Sequence, residues 1–550
     1  MEKQKRSNAQ AGLTGDVEVW NRACSHWRAA ARILASWFAG LAMIAPAAAL
    51  DSNYAAVRVV DQDTGRGVPL VRLCSTSSVC YWTDSNGVAA IDEPDFLGKR
   101  VFFSIESEGY HYEQNVYGTA GSTIDLLPRT VITLKIRRLN LAERLYRVTG
   151  EGIYRDSQLA GLPVPVGQEK LAADATGMDT VMYAVYRGQI FWLFGDTNYV
   201  SAPLGNLATT CARTSMPSAA TFRAEHQIPL HYFTRGDGFV KGMAAIAGEG
   251  LKWMSALMVV RDAKGDETLY ARYDRVKDLT TVLDSGIAKF DDARSEFRTV
   301  RSMGPSPKYF ADGRATPVQV RGESYFYFSG LKTDAPEVRV PATAADIVEP
   351  GKYEIFTCDT EGCSWQTEAT PTPTRFYDID SGAPVDGKIL SLNWNRFHRR
   401  WIAIIWHLLG DVWYAEADTP TGPWSYARKI ISHTTQTFYW PGQIEPLDAN
   451  DGRRIYVMGT YTQTFQQNPE KTPRYDYNQL LYGLSLDTPQ LALPVARYSM
   501  KGRSGAFTKE QLDQEHLWPD VRQVVDFVDQ HGQTYPNRNS PFQFDRDAQP

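Results

Sequence analysis

Two aspartates bracket one hairpin. Asp179 stands in TGMDTV, ahead of an aromatic and β-branched run, and Asp196 stands in FGDT at the end of YRGQIFWLFGDT. An antiparallel return brings the second strand back to the end where the first began, so the two carboxyls share one end of the hairpin. Neighbouring carboxyls are suited to acid–base work, because charge on one raises the pKa of the other. The plain alternative is a turn, since Gly and Asp both suit irregular backbone. Competing chemistries are missing from the chain. It has no Gly-rich phosphate loop, no His-Glu-x-x-His and no nucleophile elbow. No metal site is read, and no cofactor.

The hairpin is one of five. DTVMYAVYRGQIFWLFGDT, WMSALMVVRDAKGDETLYARYD, TPVQVRGESYFYFSG, ILSLNWNRFHRRWIAIIWH and GQIEPLDANDGRRIYVMGTYT each join two apolar or aromatic strands through a tight polar turn. They recur roughly 60–70 residues apart, a looser repeat than the ~40–50 residues of compact propeller blades, with longer loops making up the difference. Radial repetition protects strand edges, so the expectation is an all-β chain with a five-bladed β-propeller over 151–500. A long sandwich is the alternative. Ahead of it, residues 50–138 show short alternating strands and the Asn86-Gly87 turn, which predict a small β-sandwich. LNLAERLYRVTG predicts a linker helix over 139–150. Residues 501–550 predict a short C-terminal helix, from the spacing of Val521, Val524, Val525 and Val528, followed by a disordered polar tail.

Composition narrows the function classes. Net charge is −5 with no basic block, so the electrostatic footprint of a nucleic-acid binder is missing. The 14 Trp and 28 Tyr suit a β-rich core and also a carbohydrate binder. Residues 1–49 have the pattern of a signal peptide, with Arg28 and Arg32 before an apolar run and small residues Ala47 and Ala49 at the cleavage point. An uncleaved anchor is the alternative. The expected product is secreted or periplasmic, with no membrane span in the mature chain. Cysteine usage agrees: Cys74 with Cys80, and Cys358 with Cys363, have the spacing of hairpin-clamping disulfides rather than of zinc ligands. Cys211 is left over as a buried thiol. Oligomeric state is not legible.

Propeller geometry selects the residues that share a mouth with Asp179. In each blade the innermost strand starts at that face and the second strand returns to it. Blade two then offers Glu249 and Asp274, and blade three offers Arg314 and Arg339. Blade four offers His407. Blade five offers Gln443 and Tyr461, with Arg474, Tyr475 and Asp476 from its long loop. Glu416, Asp418 and His398 fall toward the opposite face and are expected to be structural.

The segments WLFGDTNY, PLGN, RRWIAIIW, WYAEADTPTGPW, IYVMGTYT and TPRYDYNQLLY resemble a propeller group related to family 43 glycoside hydrolases, and a secreted set carrying the same FGDT signature. The resemblance spans about 145–500. The pattern DTGRGVPLV, TDSNGVA, SEGY of the first unit resembles a carboxypeptidase-regulatory or transthyretin-like sandwich. The propeller resemblance implies a glycan substrate and cleavage by two carboxyl groups flanking the bond. By position and by that resemblance Asp179 is the base. Asp274 is the preferred acid, with Glu249 and Asp476 as other candidates, and Asp196 tunes or orients its partner. Arg474 and Arg339 would hold an acidic sugar's carboxylate, an arrangement that also suits a lyase with Tyr461 or His407 as base. A non-catalytic glycan-binding propeller is the rival, because Val457-Met458 stands where the resemblance leads one to expect Phe-Glu. The pattern leaves room for a structural cation on the axis without showing one.

Overall fold

Strands such as RWIAIIW (Arg400–Trp406) are buried at every position, as strands must be when side chains on both faces are covered. In the computed structural model of the protein the described residues are 53–165, 172–204, 208–218, 220–305, 307–329, 338–407, 410–464 and 468–549. The expected signal segment, residues 1–49, and with it Cys24, lies outside them.

Five sheets, antiparallel through their inner strands, carry the blades; four of the expected hairpins fall where expected, and in the fifth the first strand is Thr437–Gln443, ahead of most of GQIEPL. Blade one is Val181–Tyr186, Gln189–Phe194, Thr210–Ser215 and His231–Tyr232. Blade two starts with Leu251–Arg261 and Glu267–Val276, and blade three with Arg314–Val320 and Glu323–Ser329. Blade four starts with Lys388–Asn395 and Arg400–Trp406, and blade five with Thr437–Gln443 and Arg454–Thr462. The inner strands touch in sequence, one to two, two to three, three to four and four to five. The first also touches blade five, which closes the ring. The chain is an all-β, five-bladed propeller.

Closure corrects one expectation. Residues 139–150 hold no helix: Glu143–Arg147 is a strand, and it pairs with Asn478–Ser485 as the outer strand of blade five. Its Leu and Arg residues are good helix formers, but an open sheet edge offers a full set of backbone partners and outweighs that weak preference.

Residues 55–138 form two four-stranded sheets. Their facing side chains, among them Val57, Val59, Leu73, Phe103, Ile105 and Leu134, make one apolar cluster. This unit is fastened to blade five. The Tyr475 hydroxyl donates to Thr83 O (2.7 Å), Arg144 Nε donates to Pro69 O (3.1 Å), and the Glu108 carboxylate meets His433 Nδ1 (3.1 Å) and accepts the Thr434 N–H.

The C-terminal region differs most from expectation. The helix is confined to Lys509–Glu515, and Val521–Val528 is a strand paired with Val495–Met500. Register shifts in that pairing turn strict alternation into a three-residue step, so Val521, Val524 and Phe527 share the buried side and imitate a helical spacing. The tail expected to be disordered is fastened down. Phe544 packs 5.3 Å from the Tyr498 ring, Asp545 Oδ2 accepts the Trp365 indole N–H (2.9 Å), and Ala548–Gln549 pairs with the blade-three inner strand.

Cys74–Cys80 and Cys358–Cys363 are disulfides, each joining directly opposed residues of a hairpin. Cys211 is a buried free thiol. Among the described residues no helix is long and apolar enough to cross a membrane.

Candidate active site

Asp179 sits where the chain enters the inner strand of blade one, and Asp196 where the second strand leaves it. The backbone ties the two together: Asp179 N–H donates to Asp196 O (3.1 Å) and Gly195 N–H donates to Asp179 O (3.0 Å). The Asp179 carboxyl is held at both oxygens. Oδ1 accepts the Asp196 N–H (2.9 Å) and Oδ2 accepts the Tyr477 hydroxyl (2.8 Å). The glycine of FGDT is required by this approach, since a Cβ on Gly195 would lie 2.1 Å from Asp179 Oδ1.

Electrostatics follow from that packing. Burial, then the neighbouring Asp196 charge, pushes the Asp179 carboxyl up to about 7, against the pull of the Tyr477 and Asp196 hydrogen bonds. Burial also raises Asp196, with the Trp253 indole pulling the other way. Asp196 Oδ1 is buried and has no hydrogen-bond partner among the described residues. Burial and the Asp179 charge together raise the phenols of Tyr477 and Tyr439. The result is a pair of carboxyls with one buried, unpartnered oxygen, bordered by Tyr477, Tyr439 and Trp253.

Blade five supplies Tyr439 through a distortion. Its inner strand is bulged between Tyr439 and Gly442, and Trp440 has φ +53°, an uncommon conformation for a bulky residue. The distortion turns backbone carbonyls toward the axis, where Arg314 collects them. Arg314 Nη2 donates to Val181 O (2.7 Å) and Trp440 O (3.1 Å), and Nη1 donates to Leu390 O (2.7 Å). One guanidinium thus ties blade three to blades one, four and five. It presses so close that a Cβ on Gly442 would lie 2.4 Å from its Cζ.

Other expected site residues are placed elsewhere. Asp274 is buried in the sheet of blade two, where its Oδ1 accepts Arg272 Nη2 (2.9 Å) and the Ser285 hydroxyl (2.5 Å). A carboxylate held this way is a poor proton donor. Arg339 lies in the third strand of blade three instead of a loop at the mouth. It pairs with Glu354 (2.8 Å) and is stacked between Tyr325 and Trp365 at 4.3 and 4.1 Å. Gln443 ends the blade-five inner strand, which begins at Thr437, so it falls toward the far face. There it is fully buried and donates to Asp448 Oδ2 (2.7 Å). Glu249 is exposed and engages Arg275 only through its carbonyl (3.0 Å). His407 is a turn residue whose N–H donates to Asp411 O (3.2 Å).

The blade-five loop points mostly at the two-sheet unit. Tyr461 is buried, with its hydroxyl 3.2 Å from Thr472 Oγ1 and its ring 5.5 Å from that of His433. Tyr475 is buried against Thr83, Asp476 Oδ1 accepts the Gln463 N–H (2.7 Å), and Arg474 is exposed. Neither base expected for a lyase therefore borders the carboxyl pair. Met458 is packed in the apolar wall between blades five and one with Trp192 and Ile190, so its lack of charge leaves no gap in the site. Three residues that border the carboxyl pair are not among the expected site residues: Tyr477, Tyr439 and Trp253. Tyr477 was the nearest to hand, two positions past Tyr475 in the same RYDY run.

No family model and no curated protein matches this chain. Solved structures similar to it include a putative hydrolase from Bacteroides ovatus (11% identity, 57% of this chain and 86% of that chain, TM-score 0.36). Another is the GH43_1 enzyme from Xanthomonas citri complexed with xylose (12%, 61% and 93%, TM-score 0.32). A third is the endo-arabinase from Bacteroides thetaiotaomicron (10%, 58% and 97%, TM-score 0.30). Likeness at this level carries no argument about activity, and the fold rests on the sheets themselves.

Proposed function

We propose that the protein is a secreted, glycan-acting glycoside hydrolase working at the carboxyl pair of blade one. The observation that carries this reading is the Asp179–Asp196 pair, with Asp179 near 7, one Asp196 oxygen unpartnered, and aromatic side chains at its border. Two adjacent carboxyls do not ionise together readily, so the pair holds a proton near neutral pH. The protonated member donates to the leaving glycosidic oxygen and the ionised member activates water. Asp179, pushed up to about 7, is the member that keeps the proton and is the acid in this reading in place of Asp274, and Asp196 is the ionised base. Export follows from the leader pattern and suits the two disulfides.

The experiment is reducing-end release from a panel of plant, algal and bacterial-wall polysaccharides by the chain from Leu50 onward. Asp179→Asn and Asp196→Asn serve as controls. Release that both substitutions abolish supports the reading, and undiminished release by Asp179→Asn overturns it. A second reading, a non-catalytic glycan binder, draws on the Arg272 pairing that removes Asp274 as an acid. It predicts retention on a glycan gel with no release from any polysaccharide.

A further inference from the structure

The junction of the two-sheet unit with blade five is open along one side. Two cavities lie there, of about 310 and 640 Å³, and both are bordered by Trp82 and Pro473. Volumes of this size suit specific small-ligand sites. Placed end to end across one half-buried indole, they suit a chain better than a compact ligand. Trp82 ends the short strand Cys80–Trp82, whose first residue is clamped to the neighbouring strand by the Cys74–Cys80 disulfide. The platform is therefore rigid.

The lining has two chemistries. Tyr81 and Tyr112, half-buried, add aromatic surface on either side of Trp82. Gln436 borders the larger cavity, and its Oε1 is buried without a partner among the described residues, an acceptor suited to a hydroxyl donor. At the smaller cavity Arg474 is exposed in a left-handed conformation (φ +62°), with no acid within ion-pair distance among the described residues. Of the acids lining this cavity, Asp84 accepts Ser157 N–H (2.6 Å) and Asp156 accepts Ala90 N–H (3.1 Å) and pairs with Arg155 (3.7 Å), with Asp92 as the third. Aromatic surface, a hydroxyl acceptor and an exposed guanidinium together fit a sugar chain bearing anionic groups.

We propose that this seam is a binding groove for an acidic glycan, carboxylated or sulfated, laid over Trp82 with an anionic group on Arg474. The loop that carries Arg474 also carries Tyr477, whose hydroxyl is on Asp179. The groove deepens the glycan part of the proposed function but does not depend on hydrolysis.

Affinity electrophoresis of the chain from Leu50 onward tests it, in gels containing polygalacturonate, a sulfated galactan or neutral arabinoxylan. Retardation is expected in at least one acidic gel and not in arabinoxylan, and the gel that retards identifies the anionic group. Arg474→Gln, an exposed change, should weaken the apparent affinity about tenfold or more, and Trp82→Ala at least as much. Thermal melting of each variant separates lost binding from lost folding. Asp179→Asn should be retarded like the wild type, so a failure of hydrolysis and a failure of the groove are told apart. No retardation in either acidic gel overturns the proposal, as does equal retardation of folded Arg474→Gln.

Discussion

Tyr477→Phe and Asp196→Asn should move the Asp179 titration in opposite directions. Burial and the Asp196 charge hold Asp179 up at about 7, while the Tyr477 hydroxyl, 2.8 Å from Oδ2, holds it down. Tyr477→Phe keeps the ring and removes the donor. A hydrogen bond to a charged group contributes about 1.5–3 kcal/mol, and each pH unit corresponds to about 1.4 kcal/mol. The midpoint should therefore rise by about one to two pH units. Asp196→Asn removes the like charge but keeps the backbone N–H that donates to Oδ1, so the midpoint should fall, by about one unit. Carbon-13 NMR of aspartate carboxyls reads both without a substrate. Where a hydrolysed glycan is in hand, the basic limb of kcat/KM for Tyr477→Phe should move up with that midpoint, since the acid must hold its proton. A Tyr477→Phe midpoint at or below the wild type, or an Asp196→Asn midpoint above it, refutes the account of the pair.

The raised Asp179 carboxyl also costs stability. An acid whose folded midpoint is lifted from 3.8 to about 7 keeps a proton the unfolded chain has lost, so stability falls as pH rises through that window and is level above it. Asp179→Asn should then raise the melting temperature at pH 8 but not at pH 4, and a loss at pH 8 counts against the assignment. Arg314→Met leaves axial carbonyls of blades one, four and five without their donor. It should cost about 3 kcal/mol or more, read as a lower urea midpoint, and a gain refutes the tie. Because the guanidinium takes those carbonyls, chelator should leave the wild-type melting temperature unchanged. Replacing both Cys74 and Cys80 by Ser opens a short loop, with a separation of 6. It should cost about 2 kcal/mol in thermal or urea unfolding, and a loss of 5 kcal/mol or more contradicts a clamp of purely local reach.

Four of the five blade hairpins were legible because each strand is long, apolar and ended by a polar turn. Covering by neighbouring blades on both faces requires just that pattern. What local pattern could not show was pairing over long separation. Glu143–Arg147 becomes a strand only because Asn478–Ser485 arrives beside it, and nothing within LNLAERLYRVTG records that partner. The valines of Val521–Val528 misled for a related reason. Their three-residue spacing is produced by register shifts against Val495–Met500, a property of the pair rather than of either strand.

The site was legible where the strand ends were. In blade one the Asp179 and Gly195 contacts close the hairpin at the same residues to which the proposed function assigns chemistry, so turn signal and candidate-site signal coincide. In blade five they separate. Pro441 and Gly442 look like the start of a strand, yet they lie near the end of one, in a bulge whose glycine yields space to Arg314 from another blade. That false start moved Gln443 to the wrong mouth and hid Tyr439. The same arginine accounts for the bulge: a guanidinium reaching carbonyls of three other blades needs one strand to turn its backbone inward, and the turned strand is the one that carries Tyr439 to the carboxyl pair. Axis and site are thus shaped by one contact, between residues more than a hundred positions apart. That contact is what a reading of local pattern is blind to.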